Sequence, residues 1–196
     1  MTISIETIKQ QLEKKFAGLK SRIVANSILL EDPKDLSRVA LFLKDDPDLR
    51  MDYLSSVTAV DFLDHLESVY HLYSIEKKHG PVVLRVRVTR ENPKVPSLVP
   101  IYSGAEYQER EAYDTFGIIY EGHPDPRRLF MWESFEGYPL RKDYQQEDQD
   151  TLETKDIEWL EAHGVAVPNK LKEKAKELAA SGKKAIAEKP VQPRQA

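Results

Sequence analysis

The sequence predicts an α+β domain of two layers, helices packed on a sheet, ending near residue 145 and followed by a helical extension over 146–196. Three observations carry this. Capped helical patterns and β-type runs follow one another in the order helix, strand, helix, several strands, helix. Residues 82–89 alternate strictly, with Val82, Leu84, Val86 and Val88 on one face and Val83, Arg85, Arg87 and Thr89 on the other. No internal repeat is visible, and the longest run free of Lys, Arg, Asp, Glu and His is Val95 to Ala105, broken by Pro96 and Pro100. A membrane-spanning helix needs about 20 apolar residues.

Ser4 is placed to cap a helix whose apolar residues Ile5, Ile8, Leu12 and Phe16 recur at helical spacing up to Gly18. Arg22 to Leu30 reads as one short β-type run. Asp32 followed by Pro33 opens a second helix, burying Leu36, Val39, Ala40 and Leu43, and Asp46–Pro47 stops it. Tyr53 to Phe62 is rich in β-branched and aromatic residues and reads as a strand. Ser68–Lys77 and Val82–Arg90 form a hairpin around His79–Gly80–Pro81. The three prolines of Asn92–Pro100 mark a connector. Ser103 to Glu106 matches a capping box that starts a helix ending near Gly117. Thr154 caps a short helix that stops at Gly164. Asn169 caps a last one reaching about Lys189, before a disordered basic end holding Pro190 and Pro193.

Composition narrows the chemistry. The 196 residues contain no cysteine, which excludes thiol catalysis, disulfides, Cys-type zinc sites and cysteine-ligated iron–sulfur clusters. No apolar run near the N-terminus resembles a secretory signal. The net charge of −4 is unevenly spread: from Lys170 onward eight Lys/Arg face three Glu, so the preceding 169 residues carry the compensating acidic excess. That tail has no aromatic residue for stacking and no adjacent arginine pair, so nucleic acid is a poor partner and an acidic protein surface a better one.

Residues 106–144 hold the densest chemistry. On a helix Glu106, Arg110 and Asp114 fall at i, i+4 steps, so Arg110 is expected to sit between two carboxylates. The following stretch shows little periodicity yet carries His123, Asp125, Arg127, Arg128, Trp132, Arg141 and Lys142, with aromatics spaced through it. A metal site at His123-Pro-Asp125 lacks further ligands. Acid/base use of Glu109, Glu111 and Asp114 competes with plain ion pairing to neighbouring arginines. Phosphate binding by Arg127–Arg128 and Arg141–Lys142 lacks a glycine-rich loop. A protein–protein surface suits these residue types best.

The runs ERExYDxFGIxxxGHPDxRRLxM (109–131) and GYPLRKDY (137–144) resemble the signature of the 30-kilodalton subunit of respiratory complex I, the one lettered C in NADH–quinone oxidoreductase. Similar runs stand upstream at Val57–Asp61, Val69–Ser74 and Val95–Leu98, so the resemblance covers about residues 50–145. Its motif positions are Glu109, Arg110, Glu111, Asp114, Gly117, Gly122, His123, Pro124, Asp125, Arg127, Arg128, Pro139, Leu140, Arg141, Lys142 and Asp143. Pro126 departs from the family, which has an aliphatic residue there, and the acidic run after Tyr144 departs as well.

The resemblance implies a mixed sheet flanked by helices and a non-catalytic place in the peripheral arm, on the cytoplasmic side of the membrane. Partners would be the quinone-site subunit, lettered D, and the iron–sulfur subunits lettered B and I. It implies no flavin, cluster, metal or quinone ligand in this chain; FMN, iron–sulfur clusters and quinone belong to the partners. The arginines would then pair with carboxylates across an interface. Equivalent subunits serve ferredoxin- and F420H2-dependent quinone oxidoreductases and membrane-bound hydrogenases, which resemble it equally. A stand-alone enzyme is the rival, and it requires Glu109, Asp114 and His123 to converge on one pocket.

Overall fold

The computed structural model describes residues 4–144 and 154–180. By its contacts the chain divides into two units, Met1–Gln145 and Gln146–Ala196.

In the first unit, α1 (Ile5–Lys15) starts where Ser4 Oγ accepts the Thr7 amide, and it buries Ile5, Ile8 and Leu12. Residues 22–30 are two strands rather than one: β1 (Ser21–Val24) and β2 (Ser27–Leu30) form an antiparallel hairpin. Ala25 and Asn26 both take positive φ (45° and 57°), as a two-residue hairpin turn demands, and nothing glycine-like announced it. Helix α2 (Asp35–Asp45) begins two residues later than Pro33 suggests. Asp32 Oδ1 accepts the Lys34 amide, so Asp32–Pro33 build the turn that precedes the helix. Leu36, Val39, Ala40 and Leu43 are buried as expected.

Three long strands follow: β3 (Tyr53–Asp61), β4 (His65–Ser74) and β5 (His79–Thr89). The turn of the β4–β5 hairpin is Ile75–Lys78, ahead of His79–Gly80–Pro81. Ser74 Oγ accepts the Lys77 amide and Lys78 is left-handed, so the turn closes before the glycine. Gly80 and Pro81, joined by a cis bond, stand opposite the single residue Tyr73 as a bulge in β5. The sheet order is β1-β2-β5-β4-β3, with β2 and β5 parallel and every other pair antiparallel, so the sheet is mixed.

The alternation in β5 decides which face the helices cover. Val82, Leu84, Val86 and Val88 join Ile28, Leu30, Leu66, Tyr70 and Leu72 under the apolar faces of the helices. On the opposite face Arg85 and Arg87 converge on the buried Glu67, at 3.2 and 3.0 Å, with His65 at 3.2 Å.

The proline-rich connector contains a strand, β6 (Lys94–Pro96). It pairs in parallel with β7 (Ile119–Glu121) after crossing over through α3 (Ala105–Phe116). Three-residue strands are too short for any periodicity to show. The capping box is not formed: the residue before α3 is Gly104, and no side chain caps the helix. Gly117 ends α3 at φ 75°, as its position predicts.

The described residues of the second unit form α4 (Thr154–Ala162) and α5 (Asn169–Ala180) around Ile157, Val167 and Ala175, with Gly164 at φ 75° between them. The expected extension of α5 to Lys189 and the basic end lie outside the described residues. No helix among the described residues is long and apolar enough to cross a membrane.

Candidate functional site

Helix α3 presents its signature residues to three surroundings. Glu109 faces inward and is fully buried, accepting the Ser97 hydroxyl at 2.6 Å and the Leu98 amide at 2.7 Å. Burial pushes its carboxyl above the usual range, against the opposing pull of those two donors. Its effect is to tie the 97–98 corner to the helix.

Asp114, one turn on, is also fully buried, and it organises the segment that follows β7. Its Oδ2 accepts the amides of Leu129, Phe130 and Met131 at 3.0, 2.6 and 2.9 Å; its Oδ1 accepts Arg128 at 2.8 Å. Burial works to raise this carboxyl, but the three amides and the guanidinium together outweigh it and leave it below the usual range.

Arg110 is not held between Glu106 and Asp114. It donates to the carbonyls of Arg127 and Arg128, both at 3.1 Å, and pairs with Asp125 at 3.2 Å. The helical spacing is real, but the loop folds back over this face and offers Arg110 better-placed acceptors. Asp125 in turn takes Arg127 in a two-pronged pair at 2.7 and 2.8 Å. That pair, with Arg110 beside it, brings its carboxyl to about 2. His123 donates from Nε2 to the Glu106 carbonyl and accepts the Asp125 amide at Nδ1, which fixes one neutral tautomer. Gly122 turns the chain at φ 81° just before it. Pro124 and Glu111 are exposed.

The second motif docks on the other end of α3. Arg141 donates to the Phe116 carbonyl at 2.6 Å, and the Leu140 amide bonds Thr115 at 3.1 Å. Tyr138 lies between the guanidinium groups of Arg128 (5.4 Å) and Arg141 (4.6 Å) and against Gly117. A Cβ on Gly117 would lie 2.4 Å from that ring, so glycine is required by space as well as by φ. Pro139 is half-buried within this turn. Asp61 closes the segment: it accepts the Leu63 and Lys142 amides at 2.8 Å each and pairs with Arg90, which also holds Asp143.

Each signature arginine therefore has partners inside the chain. Asp61, Arg90 and Ser97 complete the site without being among the motif positions, because the partners they hold there lie 12 to 81 residues away. Large apolar side chains also face outward: Tyr107, Phe130, Trp132 and Leu140 are each more than half exposed. Glu109 and His123 line a surface cavity of about 170 Å³ with Arg110, Tyr113, Ile119, Tyr120 and Pro126, and Asp114 is not among its walls. The three residues that the stand-alone enzyme needs do not share a pocket. Among the described residues no group of three acidic or histidine side chains is placed to hold a metal ion.

A family described as the 30-kilodalton subunit of respiratory-chain NADH dehydrogenase matches residues 29–150. The chain belongs to this family. Its relatives include an NADH-quinone oxidoreductase subunit of Roseiflexus castenholzii, 46% identical over 114 residues, which are 57% of this chain and 65% of that protein. The subunit of the same name from Roseiflexus sp. strain RS-1 is 42% identical over 141 residues, 67% of this chain and 80% of that one. The match thus spans just under two thirds of the first relative's length. In fold, the chain is similar to one from the membrane-bound sulfane sulfur reductase, an archaeal respiratory membrane complex. The TM-score is 0.55 at 22% identity, covering 83% of this chain and 92% of that one. The family match takes in the whole latched segment, from the corner tied by Glu109 to the turn held by Asp61.

Proposed function

We propose that the chain is a non-catalytic connector in the peripheral arm of an NADH–quinone oxidoreductase, on the cytoplasmic side of the membrane. It packs on the quinone-site subunit, near two iron–sulfur subunits, and the partners supply FMN, clusters and quinone. One observation carries the reading. Arg110, Asp114, Arg128 and Arg141 are occupied in latching residues 122–144 onto α3, and the large side chains of Phe130, Trp132 and Leu140 are left outward. Fixing a backbone costs about 1–2 kcal/mol per residue, so a segment latched beforehand meets its partner with that entropy already lost. Large aromatics on a stiff support are the residue types that dominate binding energy.

The test is Trp132→Ala in the assembled complex. Trp132 is 64% exposed and touches Phe135 edge-on at 4.9 Å, so the isolated chain should keep its melting temperature. Complex on native gels should fall, and unchanged complex would overturn the reading.

A further inference from the structure

The cavity beside α3 is not explained by the latch. It opens between α3, β7 and the loop after β7, with Tyr113, Ile119 and Pro126 as apolar walls. The polar groups around it are already engaged. Glu109 is held by Ser97 and Leu98, and His123 by Glu106 and Asp125. Arg110, which lines the cavity, is paired with Asp125; of the charges on residues next in sequence or register to the lining, Arg127 also pairs with Asp125, and Lys94 with Glu121 at 3.5 Å. An occupant therefore finds the polar atoms of the lining already engaged and gains little by carrying a charge. The size is equally selective: an apolar cavity of about 150 Å³ takes one benzene ring, and this one measures about 170 Å³.

We propose that this cavity receives one uncharged apolar side chain, of phenylalanine or leucine size, projected by a partner subunit of the complex. The inference rests on the docking reading above and adds the anchoring point to it. Ile119, 40% exposed at the cavity wall, and Tyr107, 62% exposed beneath the Arg110 guanidinium, extend the apolar mouth onto the surface. Pro126, the departure from the family's aliphatic residue, is one of the walls. A ring locked in φ keeps that wall in place when the cavity is empty. A central pocket filled by one buried anchor, with paired charges around it, is the usual anatomy of an interface hot spot.

The test uses the assembled complex with the photo-crosslinker p-benzoylphenylalanine in place of Tyr107, and separately in place of Trp132. From Tyr107 the adduct should join another subunit next to an apolar residue. Ile119→Trp, which fills the cavity, should remove that adduct and cut retention of the chain in the complex by roughly tenfold or more. The melting temperature of the isolated variant shows whether it folds, and Ile119→Phe is read by the same criteria where the tryptophan variant does not. An adduct that survives the filling at full retention overturns the proposal. So does one that joins Tyr107 to residues 154–180 of its own chain or to a second copy. Crosslinking from Trp132 with none from Tyr107 overturns the cavity alone, whereas crosslinking from neither position removes the docking reading as well.

Discussion

Replacing Asp114 by asparagine removes a charge and leaves the shape almost unchanged, which makes it the cleanest probe of the latch. The carboxylate accepts four donors, three amides at one oxygen and Arg128 at the other. Asparagine offers one carbonyl oxygen. Turned toward the amides, it keeps three bonds to a neutral acceptor and sets its NH2 against the guanidinium. Bonds to a charged group contribute about 1.5–3 kcal/mol and neutral ones about 1 kcal/mol. One lost bond and three weakened ones therefore cost at least about 3 kcal/mol, unless residues 128–131 detach locally at a lower cost.

Hydrogen exchange at Leu129, Phe130 and Met131 reads either outcome. At about 1.4 kcal/mol per factor of ten, their protection should fall by roughly a hundredfold or more. Urea titration separates local from global loss. Because the folded carboxyl lies below its unfolded value near 3.9, its contribution is complete above that pH and is lost as pH falls through the folded value. Wild type and variant should converge in acid. Unchanged protection at these three amides near neutral pH would refute the account.

Glu109→Gln preserves both partners, since the amide can accept from Leu98 and donate to Ser97, and should cost under about 1 kcal/mol. The sign of its pH dependence is opposite to that of Asp114. A raised folded carboxyl is most favourable below the unfolded value near 4.3 and loses its contribution as pH rises through the folded value, so wild type should lose ground to the variant between acid and neutral pH in paired thermal melts. Gly117→Ala combines a left-handed φ with a 2.4 Å approach to Tyr138 and should cost about 2–4 kcal/mol by chemical denaturation. In a Tyr138→Ala background only the backbone part, about 1 kcal/mol, should remain.

The parts of the fold legible in the sequence are those whose signal is local. Ser4, Gly117 and Gly164 mark helix ends because a cap or a left-handed residue acts within a turn or two. The buried sets of α2 and β5 were readable because their periods of 3.6 and 2 repeat several times. Strands β6 and β7 were not, since a three-residue parallel pair exists only after α3 has carried the chain back. The turn at Ala25–Asn26 was missed for a related reason: pairing of the flanking strands holds alanine at a φ that its own propensity disfavours.

The signature segment divides along the same line. The sequence alone determined that residues 106–144 were the informative stretch, that no cysteine chemistry was available, and which family the stretch resembles. Local spacing, however, put Arg110 with the wrong partners. Only the tertiary structure decided that Asp114 binds three consecutive amides 15 to 17 residues on, and that Asp61 waits at the end of β3 for Lys142. A charged side chain is drawn to whichever acceptors or donors the folded backbone leaves unpaired nearby. Those positions are set by how loop and helix pack together, and no window of sequence contains that information.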